Sequence, residues 1–381
     1  MKLKKALALV LALVMCVGIF AACGGTTTTP PADSGTTTTP PADSGTSAPP
    51  ADVDPGEVIE ISFAHDKATT HPVHLRYEAW AADLEEATGG RVKINFYPAQ
   101  TLLTLAESYE GVKSGIADIS VVTPALTPGV FPMLELFDLP VHYNNAVVLS
   151  QVYMDCIQNF DLKELEGVKV LNVYCMGPGA IATNSPIQNL DDLKGEQIRA
   201  IGLSGAAMGA LGASPVSVAM PETYEALMRG TCDGVLGGLG AMTTWNLIEV
   251  ADCFTITPFL SVSSFIVMMN EAKWNSIPAD LQAIIEEVCA EHNVPYVQGE
   301  ENEALASIDK FLELGKEVYA IGPEEEATWM ELMQPVIDEA IADREDDGPA
   351  REFYNTMIEL AEKYNEGTQS YYDYYLEVSG K

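Results

Sequence analysis

Tyr109 to Ile119 reads YEGVKSGIADI, and Tyr224 to Val235 reads YEALMRGTCDGV. Each stretch begins Tyr-Glu, reaches a glycine, and then places an aspartate ahead of an apolar run. The copies lie 115 residues apart, from 109 to 224. Gly115 and Gly230 are read as helix stops, because glycine takes the left-handed backbone of a helix C-terminus without a Cβ clash. Asp118 and Asp233 open the strand that follows. A helix–turn–strand unit used twice predicts two lobes built on one plan.

Around the first copy, Val58 to Ala64 reads as a strand. His71 to Thr88 reads as a helix, with Leu75, Ala79, Ala82 and Leu84 as its apolar stripe and Gly89-Gly90 as its stop. Arg91 to Tyr97 alternates as a strand does, Leu105 to Ser114 is helical, and Asp118 to Val122 is the next strand. Such short links between strand, helix and strand imply a parallel α/β sheet. Around the second copy, Val168 to Val173, Gln197 to Ile201, Pro215 to Val218 and Gly234 to Leu236 read as strands. Ser204 to Leu211, Pro221 to Met228 and Ala241 to Val250 read as helices. Ser263 to Asn270 is apolar enough to be a buried strand returning to the first lobe. From Pro278 the chain turns helical and acidic, with Leu281, Ile284, Ile285 and Val288 on one stripe. Lys316 to Ile321 interrupts as a strand, and helices resume to about Asn365. Residues 57–175 are thus expected to be mostly the first lobe and 176–265 mostly the second. Residues 266–381 supply a crossing strand and helices that span both. In an α/β architecture ligands lie at the carboxyl ends of strands, and two such lobes close as a hinge.

The N-terminus is an address. Lys2, Lys4 and Lys5 precede an apolar run of 17 residues, Ala6 to Ala22, which is the pattern of a secretory signal peptide over residues 1–22 and is short for a membrane span. Ile19-Phe20-Ala21-Ala22-Cys23 resembles a bacterial lipobox, which makes Cys23 the expected site of lipidation. TTTTPPADSG then occurs twice, at Thr26 to Gly35 and Thr36 to Gly45. It has too little apolar surface to offset the entropy of ordering, so residues 23–56 are expected to be a lipidated cysteine followed by a disordered, extended tether. This places the protein outside the cytoplasm, anchored to the cell membrane.

Composition excludes several classes. The formal net charge is −35; without the three signal lysines, 17 basic residues face 55 acidic ones, giving −38. Nucleic acid is excluded as a partner, because phosphate binding needs a concentrated basic face. The cysteines beyond Cys23 (Cys156, Cys175, Cys232, Cys253 and Cys289) show no CxxC, against a zinc knuckle or a disulfide scaffold. Gly177-Pro178-Gly179-Ala180-Ile181-Ala182 mimics a dinucleotide loop, but Asn184-Ser185-Pro186 breaks the helix that should open there. No GxSxG or HExxH occurs. An enzyme is therefore not expected, nor is a cofactor.

Several ordered motifs resemble the solute receptors of TRAP transporters, the tripartite ATP-independent periplasmic systems of the DctP type. They are Gly89 to Ile94 with Tyr97-Pro98-Ala99-Gln100-Thr101-Leu102, Asp192 to Arg199 (DLKGEQIR), Leu211 to Val216 (LGASPV), Pro221 to Leu227 (PETYEAL), Gly230 to Gly234 and Asn270 to Pro278. The resemblance implies a two-lobed periplasmic-binding-protein α/β fold, type II-like, with hinge strands and a long helix. It implies capture of a small organic acid and delivery to TRAP membrane subunits. It also makes Arg199 the residue that binds the ligand carboxylate, and a guanidinium offers the two parallel donors such a group needs.

The sequence departs from sialic-acid-type members, which carry a second arginine where this chain reads Gly177 to Ile181 and Glu-Asn where it reads Leu236-Gly237. It also lacks the metal-holding carboxylate of keto-acid members at the position of Leu236, so no metal is expected. Small residues widen the pocket. Met220 and Gly237 line it on this reading, and Trp245 is expected either to stack on the ligand or to fill the core of the helix from Ala241 to Val250. His65, His71 and His74, after the first strand, are expected as cleft lining, together with Gln100 after the second strand and Thr123 after the third. The alternatives are a receptor for a neutral or cationic small molecule, a signalling receptor, and the receptor of an ATP-driven importer.

Overall fold

The structure, a computed structural model of the chain, describes residues 56–261 and 264–381. The signal peptide, Cys23 and all of the tether except Gly56 lie outside the described residues. The strands are β1 (Ile59–Ala64), β2 (Val92–Tyr97), β3 (Ile119–Val122), β4 (Val168–Cys175), β5 (Pro178–Thr183), β6 (Gln197–Arg199), β7 (Ser214–Val216), β8 (Gly234–Gly238), β9 (Cys253–Ser261), β10 (Ser264–Asn270) and β11 (Glu317–Ala320). The helices are α1 (Pro72–Ala87), α2 (Ser108–Lys113), α3 (Ala146–Asn159), α4 (Leu190–Leu193), α5 (Gly202–Ala210) and α6 (Met220–Met228), then α7 (Leu239–Thr244), α8 (Glu271–Ser276), α9 (Ala279–Glu313), α10 (Pro323–Ala342), α11 (Ala350–Asn365) and α12 (Tyr371–Ser379).

Two sheets form. The first runs β2-β1-β3-β10-β4 and the second β11-β9-β5-β8-β6-β7. In the first, β1 is parallel to β2 and β3, while β10 is antiparallel to β3 and β4. In the second, β6 is parallel to β7 and β8, and β5 is antiparallel to β8 and β9. The chain leaves the first sheet at Met176-Gly177 and returns to it with β10. The expected return strand is therefore present.

The sequence echo has a structural counterpart. Gly115 and Gly230 both take positive φ, 75° and 67°. The amide of Ile116 bonds to the carbonyl of Gly111, and the amide of Thr231 bonds to that of Ala226, so both helices end in the same six-residue wrap. Each aspartate then fastens a parallel neighbour. Asp118 accepts from the backbone and hydroxyl of Ser62 in β1 at 2.8 and 2.9 Å. Asp233 accepts from the amide of Gln197 at the head of β6 at 2.9 Å.

The 35-residue helix α9 is about 50 Å long at 1.5 Å per residue. Its first half packs Leu281, Ile285, Val288 and Tyr296 against Phe63 and Val267 of the first lobe. Its second half packs Ala304, Ile308 and Phe311 against Phe254 and Val235 of the second. Pro295 lies inside it, near this changeover.

Three local readings are corrected. The buried face of α1 is Val73, His74, Tyr77, Trp80 and Leu84, whereas Leu75 is 52% exposed and Ala79 and Ala82 are exposed. The expected stripe followed aliphatic residues only, but the large aromatic side chains bury more area and decide the face. The expected helix Ala241 to Val250 stops at Thr244, and Asn246 takes a left-handed φ of 58°. The strands β5 and β9 and the helices α3, α4, α8 and α12 were not anticipated. Without polar alternation, short buried strands such as PGAIAT carry no period to read.

Candidate functional site

Arg199 closes β6, the strand flanked in parallel by β7 and β8. Its side chain is buried, 3% exposed. The Nε–H donates to the carbonyl of Val218, just past β7, at 2.8 Å, and Nη1 donates to the carbonyl of Leu236 in β8 at 3.3 Å. The carboxyl edges of two neighbouring strands thus hold the guanidinium. The other five arginines each reach a carboxylate: Arg76 with Glu300 and Glu303, Arg91 with Asp280, Arg229 with Glu225, Arg344 with Glu135, and Arg351 with Asp338. Among the described residues none lies within ion-pair distance of Arg199. Burial pulls its guanidinium down to about 10, with Cys232 and Asp138 opposing, so it stays charged at neutral pH. Asp138 is near enough to act on it electrostatically but is not an ion-pair partner. Burial, with Glu135 beside it, pushes the Asp138 carboxyl up to about 8, against the pull of Arg344 and Arg199.

The facing wall follows β1. His65, Asp66 and Lys67 are 2%, 5% and 3% exposed. His65 and His74 share a hydrogen bond, Nε2 to Nδ1 at 3.0 Å, and His74 Nε2 meets Glu78 at 3.2 Å. His71 caps α1 by accepting the amide of Val73 on Nδ1 at 3.2 Å. Burial pulls His65 down to about 4 and His71 to about 3, so both are neutral at physiological pH. The His71 ring packs on Trp245 of the second lobe with centroids 5.4 Å apart. Lys67 Nζ pairs with Asp66 Oδ2 at 2.7 Å and lies 5.2 Å from the ring centroids of both Trp245 and Phe265.

The two walls meet. Met220 and the half-buried Trp245 pack against core residues of both lobes. A Cβ on Gly237 would lie 3.4 Å from Met220 Cε, and one on Gly202, just past Arg199, would press on Asp138 and lie 3.1 Å from Ala125 Cβ of the first lobe. Thr123 precedes that turn of the first lobe, and its hydroxyl is buried without a hydrogen-bond partner among the described residues. Gln100 is engaged locally. Its backbone takes φ 60°, its amide bonds to the carbonyl of His65 at 3.0 Å, and its side chain accepts from Leu105 at 3.2 Å.

Asp66, Lys67, Phe265 and Asp138 were absent from the sequence-based site. The rule that selected His65, proximity to the end of β1, applies equally to the next two residues. Nothing local marks Phe265 or Asp138.

The family profile for bacterial extracellular solute-binding protein, family 7, matches residues 63–343. The chain belongs to this family. Among curated relatives, this family 7 protein is 29% identical over 294 residues to the C4-dicarboxylate-binding periplasmic protein DctP of Rhodobacter capsulatus, covering 74% of this chain and 86% of the relative. It is 25% identical over 288 residues to the C4-dicarboxylate-binding protein DctB of Bacillus subtilis, covering 73% and 81%. A TRAP periplasmic solute binding protein from Desulfovibrio salexigens superposes with a TM-score of 0.73 at 28% identity, over 82% of this chain and 99% of that one. A TRAP solute binding protein from Rhodoferax ferrireducens, crystallised with copurified benzoate, gives 0.75 at 25% identity, over 81% and 99%. The family 7 fold of two lobes is thus the fold of this chain. No helix among the described residues is long and apolar enough to cross a membrane.

Proposed function

We propose that this protein captures a small organic acid between its lobes, with Arg199 taking the carboxylate, and presents it to a TRAP-type secondary transporter without chemical turnover. The observation that carries the reading is the buried guanidinium at a strand's carboxyl edge, held by two backbone carbonyls, with no carboxylate within ion-pair distance among the described residues. A buried cation without a counter-ion is costly unless a ligand supplies one. The relatives named above as binding C4-dicarboxylates or benzoate support an acid as that ligand. His71, Thr123, Met220, Gly237 and Trp245 stand around the junction of the lobes and complete the lining. His65, His74 and Gln100 support it from behind. Secretion by the signal 1–22, lipidation at Cys23 and a tether up to residue 56 would hold the receptor at the outer face of the cell membrane.

A thermal-shift screen of the mature domain against organic acids tests this. A ligand at 100 times its Kd adds ~2.7 kcal/mol of stability. Arg199→Ala abolishes that shift while the unliganded variant still folds and melts cooperatively, since the lost buried charge offsets the two carbonyls left without a donor. Equal affinity in wild type and variant would refute the assignment. The same screen with amines and uncharged sugars returns no shift on this reading.

A further inference from the structure

The first-lobe wall carries a cation that is already compensated. Lys67 Nζ holds Asp66 Oδ2 at 2.7 Å, both side chains are almost fully buried, and the ammonium also faces two aromatic rings at 5.2 Å. The nearby ion pairs add no positive charge, because Arg76 is shared between Glu300 and Glu303. His65 and His71 are neutral at physiological pH. Among the described residues of both walls, Arg199 is the cation without an ion-pair partner.

In the first-lobe lining, Thr123 Oγ1 beyond β3 and two atoms beyond β1 have no hydrogen-bond partner among the described residues; the latter two are Asp66 Oδ1 and His71 Nε2. Their chemistry is complementary. Asp66 Oδ1 is an acceptor. His71 accepts on Nδ1, so its neutral ring carries the proton on Nε2, a donor. The His71 ring packs on the Trp245 indole, and Lys67, the ion-pair partner of Asp66, lies 5.2 Å from the same ring centroid. Leaving either atom unmatched in a closed cleft is unfavourable.

We infer that the cleft selects a monocarboxylate carrying an uncharged hydroxyl at its far end, set beside the Trp245 and Phe265 rings, and discriminates against dicarboxylates. The hydroxyl donates to Asp66 Oδ1 and accepts from His71 Nε2–H. A second carboxylate in its place would meet the Asp66 carboxylate with no free cation to offset it. The inference rests on the assignment of Arg199 as the carboxylate site.

Calorimetric titration of the mature domain with matched pairs tests it: 4-hydroxybutyrate against succinate, 5-hydroxyvalerate against glutarate, and 3-(hydroxymethyl)benzoate against isophthalate. The hydroxy acid of at least one pair binds about tenfold or more tighter than its diacid. In Asp66→Asn, Lys67 becomes an uncompensated cation, and the preference narrows or reverses toward the diacid. Diacids binding as tightly or tighter in the wild type overturn the inference and leave the Arg199 assignment standing. An unchanged preference in a folded Asp66→Asn also overturns it. Failure of every acid to bind sinks the carboxylate reading and this inference together. Should Asp66→Asn not fold, the wild-type pairs decide the question unaided.

Discussion

The hydroxyl of Tyr371 donates to the carboxylate of Glu301 at 2.8 Å, which joins the last helix to the middle of α9. The amide of Ala146, at the start of α3, reaches both groups at 3.1 Å. A Cβ on Gly177, in the linker between the sheets, would lie 2.9 Å from the same hydroxyl. One phenol therefore ties together a lobe-spanning helix, a first-lobe helix and a crossing point of the chain. Burial raises the Glu301 carboxyl, and the bonds from Tyr371 and Ala146 hold it back down. Tyr371→Phe should destabilise the fold by about 1–3 kcal/mol, the loss expected when a buried acceptor is left short of a donor. Urea unfolding measures it, and an unchanged midpoint would show the hydroxyl to be idle.

Asp118 and Asp233 share a role but not an environment. Asp118 is half-buried and accepts twice from Ser62, whereas Asp233 is exposed and accepts from Gln197. Water can replace a lost partner at the exposed site but much less so at the other. Asp118→Ala is expected to cost about 1–3 kcal/mol and Asp233→Ala under about 1 kcal/mol. The reverse order in denaturant titrations would mean that the echo is a likeness of shape without a shared energetic basis.

The histidines pull stability in opposite directions with pH. Hydrogen bonding to Glu326 raises His142 above its ordinary value, so its contribution is complete below about pH 6.5 and is lost as pH rises through the raised value. Burial lowers His65 to about 4 and His71 to about 3. There the unfolded chain binds protons first, so stability falls as pH drops from about 6.5 toward those values. His142→Gln should lose stability relative to wild type at about pH 5 but not at about pH 9. His71→Gln should flatten the acid limb of the curve. A His142→Gln deficit that is the same at both pH values would remove Glu326 as the cause.

Gly234 opens β8 between β5 and β6. A Cβ there would press on Thr183 and lie 2.8 Å from the carbonyl oxygen of Ala182 and 2.9 Å from Ile198 Cδ1. The carbonyl belongs to the β5–β8 ladder and cannot retreat without breaking the pairing. Gly234→Ala is expected to lower stability by about 1–3 kcal/mol through overpacking. A melting temperature equal to wild type would show that the second sheet yields more readily than its contacts suggest.

Much of the fold was legible in the chain because its signals are local. The paired YE…G…D stretches place two glycine helix stops and two strand-opening aspartates, and both sets are present in equivalent geometry. A β-strand over Gln197 to Ile201 with Arg199 near its carboxyl end followed from the apolar residues around it, and the structure ends that strand two residues earlier, at Arg199. The face of α1 was misread because its weight comes from Tyr77 and Trp80, which an aliphatic count ignores. The strands β5 and β9 escaped because a buried strand has no polar alternation.

The sequence by itself determined that there are two α/β lobes and that an arginine stands near the carboxyl end of a strand in one of them. Backbone conformation and apolar periodicity depend on neighbours a few residues away, so a linear reading reaches them. Only the tertiary structure decided that, among the described residues, Arg199 is the one arginine of six without a carboxylate at ion-pair distance, and that Lys67 is matched by Asp66 under a ring from the other lobe. Partners such as Arg76 and Glu300, or Tyr371 and Glu301, stand 224 and 70 residues apart. In a chain with 55 acidic residues, charge pairing is set by burial and proximity in space, which spacing along the chain does not encode.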